Sequence, residues 1–203
     1  MNPSLSAILV VVALEVETQD VFANAAIPVL YTGIGKVNAT YSLTRRLAMY
    51  RAASLPPPLV VNFGTAGSAS VAAQTLVACR RFVDRDMDVG ALGFAPGVTP
   101  FDALPPVLEF PAVFPALPEA VCGSGDSFAT DHGGFDCDVV DMEAYALAKA
   151  CRIEGAGFAC AKFVSDGADE HAARHWRENV AAAADRFLAL YRELLSGARA
   201  SRA

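Results

Sequence analysis

Short runs in which nearly every position is apolar alternate with longer stretches in which apolar residues recur every three or four positions. AILVVVA (7–13) reads as a buried strand, and LEVETQDVFA (14–23) as a short helix after it. VLYTG (29–33) is strand-like. Residues 36–51 read as a helix whose apolar stripe is Val37, Tyr41, Leu43, Leu47 and Tyr50. PPP (56–58) stops that helix. LVVNFG (59–64), LVACRRFV (76–83), EAVCG (119–123), DVV (138–140) and FACAKFV (158–164) are further strands. Residues 142–154 and 171–195 read as helices, the second with Val180, Ala183, Phe187, Leu190, Tyr191 and Leu194 facing a core.

Residues 94–118 break the rhythm. Seven of the twelve prolines fall there, which predicts an extended surface excursion with a short strand at VLEF (107–110). The end of the chain, 196–203, should fray. No repeat or linker divides the sequence, so one domain of 203 residues is expected. Strands that are apolar at every position, alternating with helices, predict an α/β fold: a mixed or parallel sheet covered by helices.

Composition narrows the function. Hydrophobic residues make up 54% and charged residues 19%, enough for a substantial core. A net charge of -6 argues against binding nucleic acid or an anionic membrane surface. The N-terminal apolar run has no basic flank, and no run is long enough to span a bilayer. Five cysteines without a CxxC pattern fit reduced thiols in a cytoplasmic protein. HAARH (171–175) has paired histidines but no HExxH glutamate, so no metal is expected.

In such folds ligands collect beyond the C-terminal ends of strands. Those ends carry Glu15 and Glu17, TGIGK (32–36), GTAGS (64–68), DRDMD (84–88), GSGDS (123–127), DMEA (141–144) and SDGAD (165–169). Taken singly, each has an ordinary structural explanation. Glycine turns let backbone approach or reverse. Asp166, Asp126 and Asp141 could cap helices or close Asx-turns. TGIGK lacks the Walker spacing and is not a phosphate loop.

Together, and in this order, VALEVE, TGIGKVNA, NFGTAG, CGSGDSF, VDMEA and VSDGAD resemble the nucleoside phosphorylase/nucleosidase superfamily, most of all the 5′-methylthioadenosine/S-adenosylhomocysteine nucleosidases. The resemblance runs from Val10 to Trp176. It implies a single nucleoside phosphorylase-like three-layer domain and cleavage of a ribose–adenine bond without cofactor. It implies that Asp166 is the acid protonating the base, that Glu143 accepts the ribose hydroxyls, and that Glu17 activates water. Met142 would pack on the substrate, Phe128 would stack on the purine, and backbone groups of Phe128 and Ala129 would read its edge. Thr65, Ala66 and Ser165 would line the pocket. Ile34 and Trp176 would contact the 5′ substituent or close over the base. Val89 and Leu92 match a segment that reaches the neighbouring pocket in family homodimers. Asp141 is left a helix cap.

The sequence departs from the family pattern in several places. Leu14 replaces a common methionine. Lys162 stands where an arginine supports the ribose and water site, keeping the charge but losing the fork. A short connection replaces the usual hairpin before TGIGK. Three rival readings follow: a phosphate-dependent purine nucleoside phosphorylase, a non-catalytic nucleoside-binding protein, and a hydrolase of a related nucleoside such as futalosine. ALEVETQD and VVNFGTAG carry no arginine for phosphate, and Glu17 would repel it, which favours water.

Overall fold

The computed structural model describes residues 8–128, 136–169 and 171–200. Among these, eight strands form one mixed sheet. They are β1 (Ile8–Val12), β2 (Val29–Tyr31), β3 (Leu59–Gly67), β4 (Leu76–Asp84), β5 (Val107–Glu109), β6 (Glu119–Ser124), β7 (Val139–Asp141) and β8 (Gly157–Asp166). The order is β2-β1-β3-β7-β6-β4-β5. β8 lies parallel to β3 and antiparallel to β4, so β3, β8, β4, β6 and β7 close a ring. The helices are α1 (Val21–Asn24), α2 (Lys36–Ala52), α3 (Ala144–Glu154), α4 (Ala172–Asn179) and α5 (Ala183–Ala200).

Continuous apolar strands are explained by a core on each side. Leu9, Val11, Val60 and Phe158 face α2 and α3, through Leu43, Leu47, Tyr145 and Leu147. Their sequence neighbours Val10, Val12, Val61 and Ala159 face the other way, onto Phe22 of α1 and Phe187 and Leu190 of α5. Successive residues of a strand point to opposite faces, so a sheet covered twice needs apolar residues at both parities. The result is the expected three-layer α/β arrangement. No helix among the described residues is long and apolar enough to cross a membrane.

The structure corrects four local expectations. Residues 14–23 form a 3₁₀ turn, Glu15–Glu17, followed by the single turn α1. A continuous helix would compete with the inward anchoring of Glu17 described below. The buried face of α2 is Ala39, Leu43 and Leu47, whereas Val37 and Tyr41 are 77% and 65% exposed. The C-terminal helix is interrupted by a 3₁₀ turn at Val180–Ala182, where Val180 is buried. And α5 continues to Ala200, past the point where fraying was expected. The proline-rich stretch contributes only β5, paired to β4, as expected.

Candidate active site

One row of paired residues crosses the C-terminal ends of five strands: Asp166 (β8), Gly67 (β3), Val140 (β7), Gly123 (β6) and Val83 (β4). Above Gly67 and Val140 opens a pocket of about 330 Å³, within the size range of small-molecule sites. The turn after β1 and the helix α4 wall it. Glu17, Glu143 and Asp166 all line it, with Thr65, Ala66, Ile34, Phe128, Met142, Ser165 and Trp176. The first and last of the three acids are 149 residues apart in sequence, and all meet because each follows or ends a strand.

Glu17 is 4% exposed and held on both oxygens. Oε1 accepts from Thr65 N (2.7 Å) and Thr65 Oγ1 (2.8 Å), and Oε2 accepts from Leu14 N (3.1 Å). The indole of Trp176 donates to Thr65 Oγ1 at 2.9 Å, so α4 is tied to the same carboxylate through the threonine. Asp166 is also fixed: Oδ2 accepts from Ser165 Oγ (2.7 Å) and Oδ1 from Ala168 N (3.0 Å). Its Oδ1 lies 2.6 Å from where a Cβ on Gly67 would be. Only glycine leaves room there. Gly67→Ala is therefore expected to displace the Asp166 carboxyl and lower kcat by about 10²-fold, with little change in substrate affinity; steady-state kinetics on the purified variant checks it.

Glu143 precedes α3 and turns into the pocket. Its Oε1 accepts from the N–H of Gly35 at 2.9 Å, donated from the TGIGK turn. Gly35 adopts φ +95°, a conformation that disfavours other residues. The neighbouring Lys36 N–H donates to Asp126 Oδ1 at 2.7 Å, and Lys36 Nζ reaches Asp84 at 2.6 Å and also Asp86. The glycine turn thus ties Glu143 to the GSGDS and DRDMD turns. Burial, then the nearby charge of Asp141, push the Glu143 carboxyl up to about 8, against the opposing effects of Lys162 and the Gly35 N–H.

That shift has a readable consequence. If Glu143 must be ionised to accept ribose hydroxyls, kcat/KM should rise with pH and level off above about 8. Glu143→Gln should be weakly active with that limb gone. The folded carboxyl holds a proton that the unfolded chain releases near 4.5, so its contribution to stability is full below 4.5 and is lost as pH rises through about 8.

One expected residue falls elsewhere. Lys162 is 1% exposed and does not line the pocket; its Nζ pairs with Asp141 Oδ2 at 2.7 Å beneath the site. An ammonium lacks the reach and fork of an arginine, and the buried carboxylate captures it. Asp141 does cap α3, accepting from Ala144 N at 2.9 Å, but it also carries this ion pair and a bond from Ser124 Oγ. Val89 and Leu92 lie outside the pocket of their own chain, around the exposed 3₁₀ turn Gly90–Leu92. Ala129 lies outside the described residues. Two basic pocket residues were not anticipated, Arg85 and Arg177. Arg85 looks solvated within the acidic DRDMD turn, and only the small residues facing it, Gly123 and Gly125, could have hinted otherwise.

A family profile for the phosphorylase superfamily matches residues 124–196. The chain is 31% identical over 172 residues to the 5′-methylthioadenosine/S-adenosylhomocysteine nucleosidase of an Exiguobacterium strain, covering 73% of this chain and 71% of the relative. It is 32% identical over 188 residues to the enzyme of that name from Geobacillus kaustophilus, covering 82% and 78%. Among solved structures it resembles the Helicobacter pylori 5′-methylthioadenosine/S-adenosylhomocysteine nucleosidase (TM-score 0.81, 22% identity, 96% and 99% covered). A futalosine hydrolase mutant of the same organism gives TM-score 0.81 at 21% identity, with 95% and 99% covered.

Proposed function

The chain belongs to the 5′-methylthioadenosine/S-adenosylhomocysteine nucleosidase family, and from that premise we propose that it hydrolyses the N-glycosidic bond of 5′-modified adenosines, releasing adenine. The observation that carries the reading is the convergence of Glu17, Glu143 and Asp166 on one pocket. Cleavage develops positive charge on the ribose and negative charge on the base. Asp166 donates the proton to the departing base. Glu143, ionised, accepts the ribose hydroxyls and strengthens those bonds as the sugar becomes cationic. Glu17, oriented by Thr65 and Leu14, takes the proton of the attacking water. Ile34 and Trp176 meet the 5′ group, and Phe128 and Met142 meet the base and sugar.

Water is the nucleophile in this reading. A phosphate beside Glu17 would be repelled, and neither Arg85 nor Arg177 bonds to Glu17 or Thr65 among the described residues. Release of free base from methylthioadenosine, S-adenosylhomocysteine, adenosine and inosine, with and without phosphate, tests the reading. Strict phosphate dependence overturns hydrolysis, and tight binding without turnover overturns catalysis. We propose also that two copies pair, with Val89 and the exposed Leu92 of each near the partner's pocket; light scattering after size exclusion should give twice the 21.3 kDa chain mass.

A further inference from the structure

Arg85 is 9% exposed, and its guanidinium stands against the pocket with no acidic partner among the described residues. Its Nη2 donates to the carbonyl of Ser127 and, at 3.3 Å, to Ser127 Oγ, and its Nε is buried without a hydrogen-bond partner. The other buried cation, Lys162, has a carboxylate. A guanidinium removed from water with nothing negative beside it is costly unless a ligand completes it. The local sequence makes space for it: a Cβ on Gly125 would lie 2.8 Å from the Arg85 Cζ, and one on Gly123 would meet Arg85 Cβ at 3.5 Å and Cys137 Sγ at 2.8 Å.

The row across the strand ends fixes where this side chain begins. Gly67 and Gly123 both pair with Val140, one on each side. Paired residues point to the same face, and the two glycines stand about 10 Å apart, two strand spacings. Asp166 leans over Gly67, and Arg85 starts beside Gly123 and lays its guanidinium against Gly125. A purine above Val140 can therefore turn one edge toward both a proton donor, Asp166, and a group that can only donate, Arg85. Along the edge that begins at N7, adenine offers an acceptor followed by an amino donor, whereas a 6-oxopurine offers two acceptors, N7 and O6. Two donors match the second pattern.

We propose that Arg85 is a specificity-determining residue that donates to O6 of a 6-oxopurine, so that this enzyme accepts hypoxanthine-type nucleosides as well as adenine-type ones and prefers the former. The proposal rests on the nucleosidase reading for its reaction but not for its binding. As the bond to ribose breaks, charge on a departing 6-oxopurine spreads to O6, where the guanidinium meets it. The proton from Asp166 goes to N7 and hydroxide from water goes to the anomeric carbon, so the products are the neutral base and ribose derivative.

The test has two readouts on the full-length chain. Isothermal titration with free hypoxanthine and free adenine should show hypoxanthine bound more tightly by about tenfold or more, as for a bond to a charged donor. Arg85→Met should erase that preference, and Arg85→Lys should weaken it, serving also if the methionine variant fails to fold. Turnover of 5′-methylthioinosine against 5′-methylthioadenosine should show the same ratio and the same loss. Adenine bound more tightly by the wild type, or a preference unmoved in the variants, overturns the proposal. Base preference without turnover of any nucleoside sustains Arg85 as the reader and instead sinks the hydrolase. Release of adenine alone does the opposite.

Discussion

Asp166→Asn should lower kcat by about 10²–10⁴-fold, the usual contribution of a positioned general acid, while KM and the melting temperature change little. The surroundings of Asp166 make this a clean substitution. The amide oxygen can keep the bond from Ala168 N, and the amide nitrogen can occupy the place of Oδ2. Ser165 Oγ then needs only to turn its proton toward the carbonyl of Ala66, already 3.4 Å away, and accept from the new amide. The amide can still hydrogen-bond a purine nitrogen, so binding survives. What it cannot do is give up a proton as the base departs. A fall in kcat with KM unchanged identifies an interaction made only in the transition state. If kcat stays within about tenfold, a difference of ~1.4 kcal/mol in the barrier, Asp166 is not the acid.

The parts of this site that were legible in the sequence share one property. Glu17, Thr65, Glu143 and Asp166 follow or end apolar strands, and strand ends of an α/β sheet converge whatever the details of register. Some of their hydrogen-bonded neighbours are close in sequence too, as Leu14 is to Glu17 and Ala168 to Asp166. What was hidden depends on contacts between distant segments. β8 bridges β3 and β4 to close the ring, and strands apolar at every position carry no alternation from which that pairing could be read. The buried face of α2 uses Ala39, a residue too small to stand out in a hydrophobic pattern, while Val37 and Tyr41 look like core and are not. Arg85 is concealed by acidic neighbours in sequence that bond elsewhere, Asp84 and Asp86 to Lys36.

Lys162→Met should be the most destabilising single substitution near the site, by about 3–5 kcal/mol, because it strands a buried carboxylate. Both side chains are 1% exposed, and Nζ lies 2.7 Å from Asp141 Oδ2. Burial pushes the Asp141 carboxyl up, but Lys162's charge and hydrogen bond, with those of Ser124 and Ala144, outweigh it and hold it below the ordinary 3.8. Burial likewise acts to lower Lys162, and Asp141 overrides it, leaving the amine well above its usual value. Since the folded acid is depressed, its contribution to stability is present above 3.8 and is lost as pH falls through its folded value. The variant should lose that acid limb, and urea denaturation at pH 5 and 7 measures both effects. Adding Asp141→Asn should recover much of the loss, since the stranded charge is gone and the amide oxygen can still cap Ala144. Asp141 raises the Glu143 carboxyl more than Lys162 lowers it, so with both charges gone the pH limb of kcat/KM should move below 8 in the double variant. Recovery of stability with the limb unmoved would make Lys162 and Asp141 scaffold residues only; a stable single variant would refute the buried pair itself.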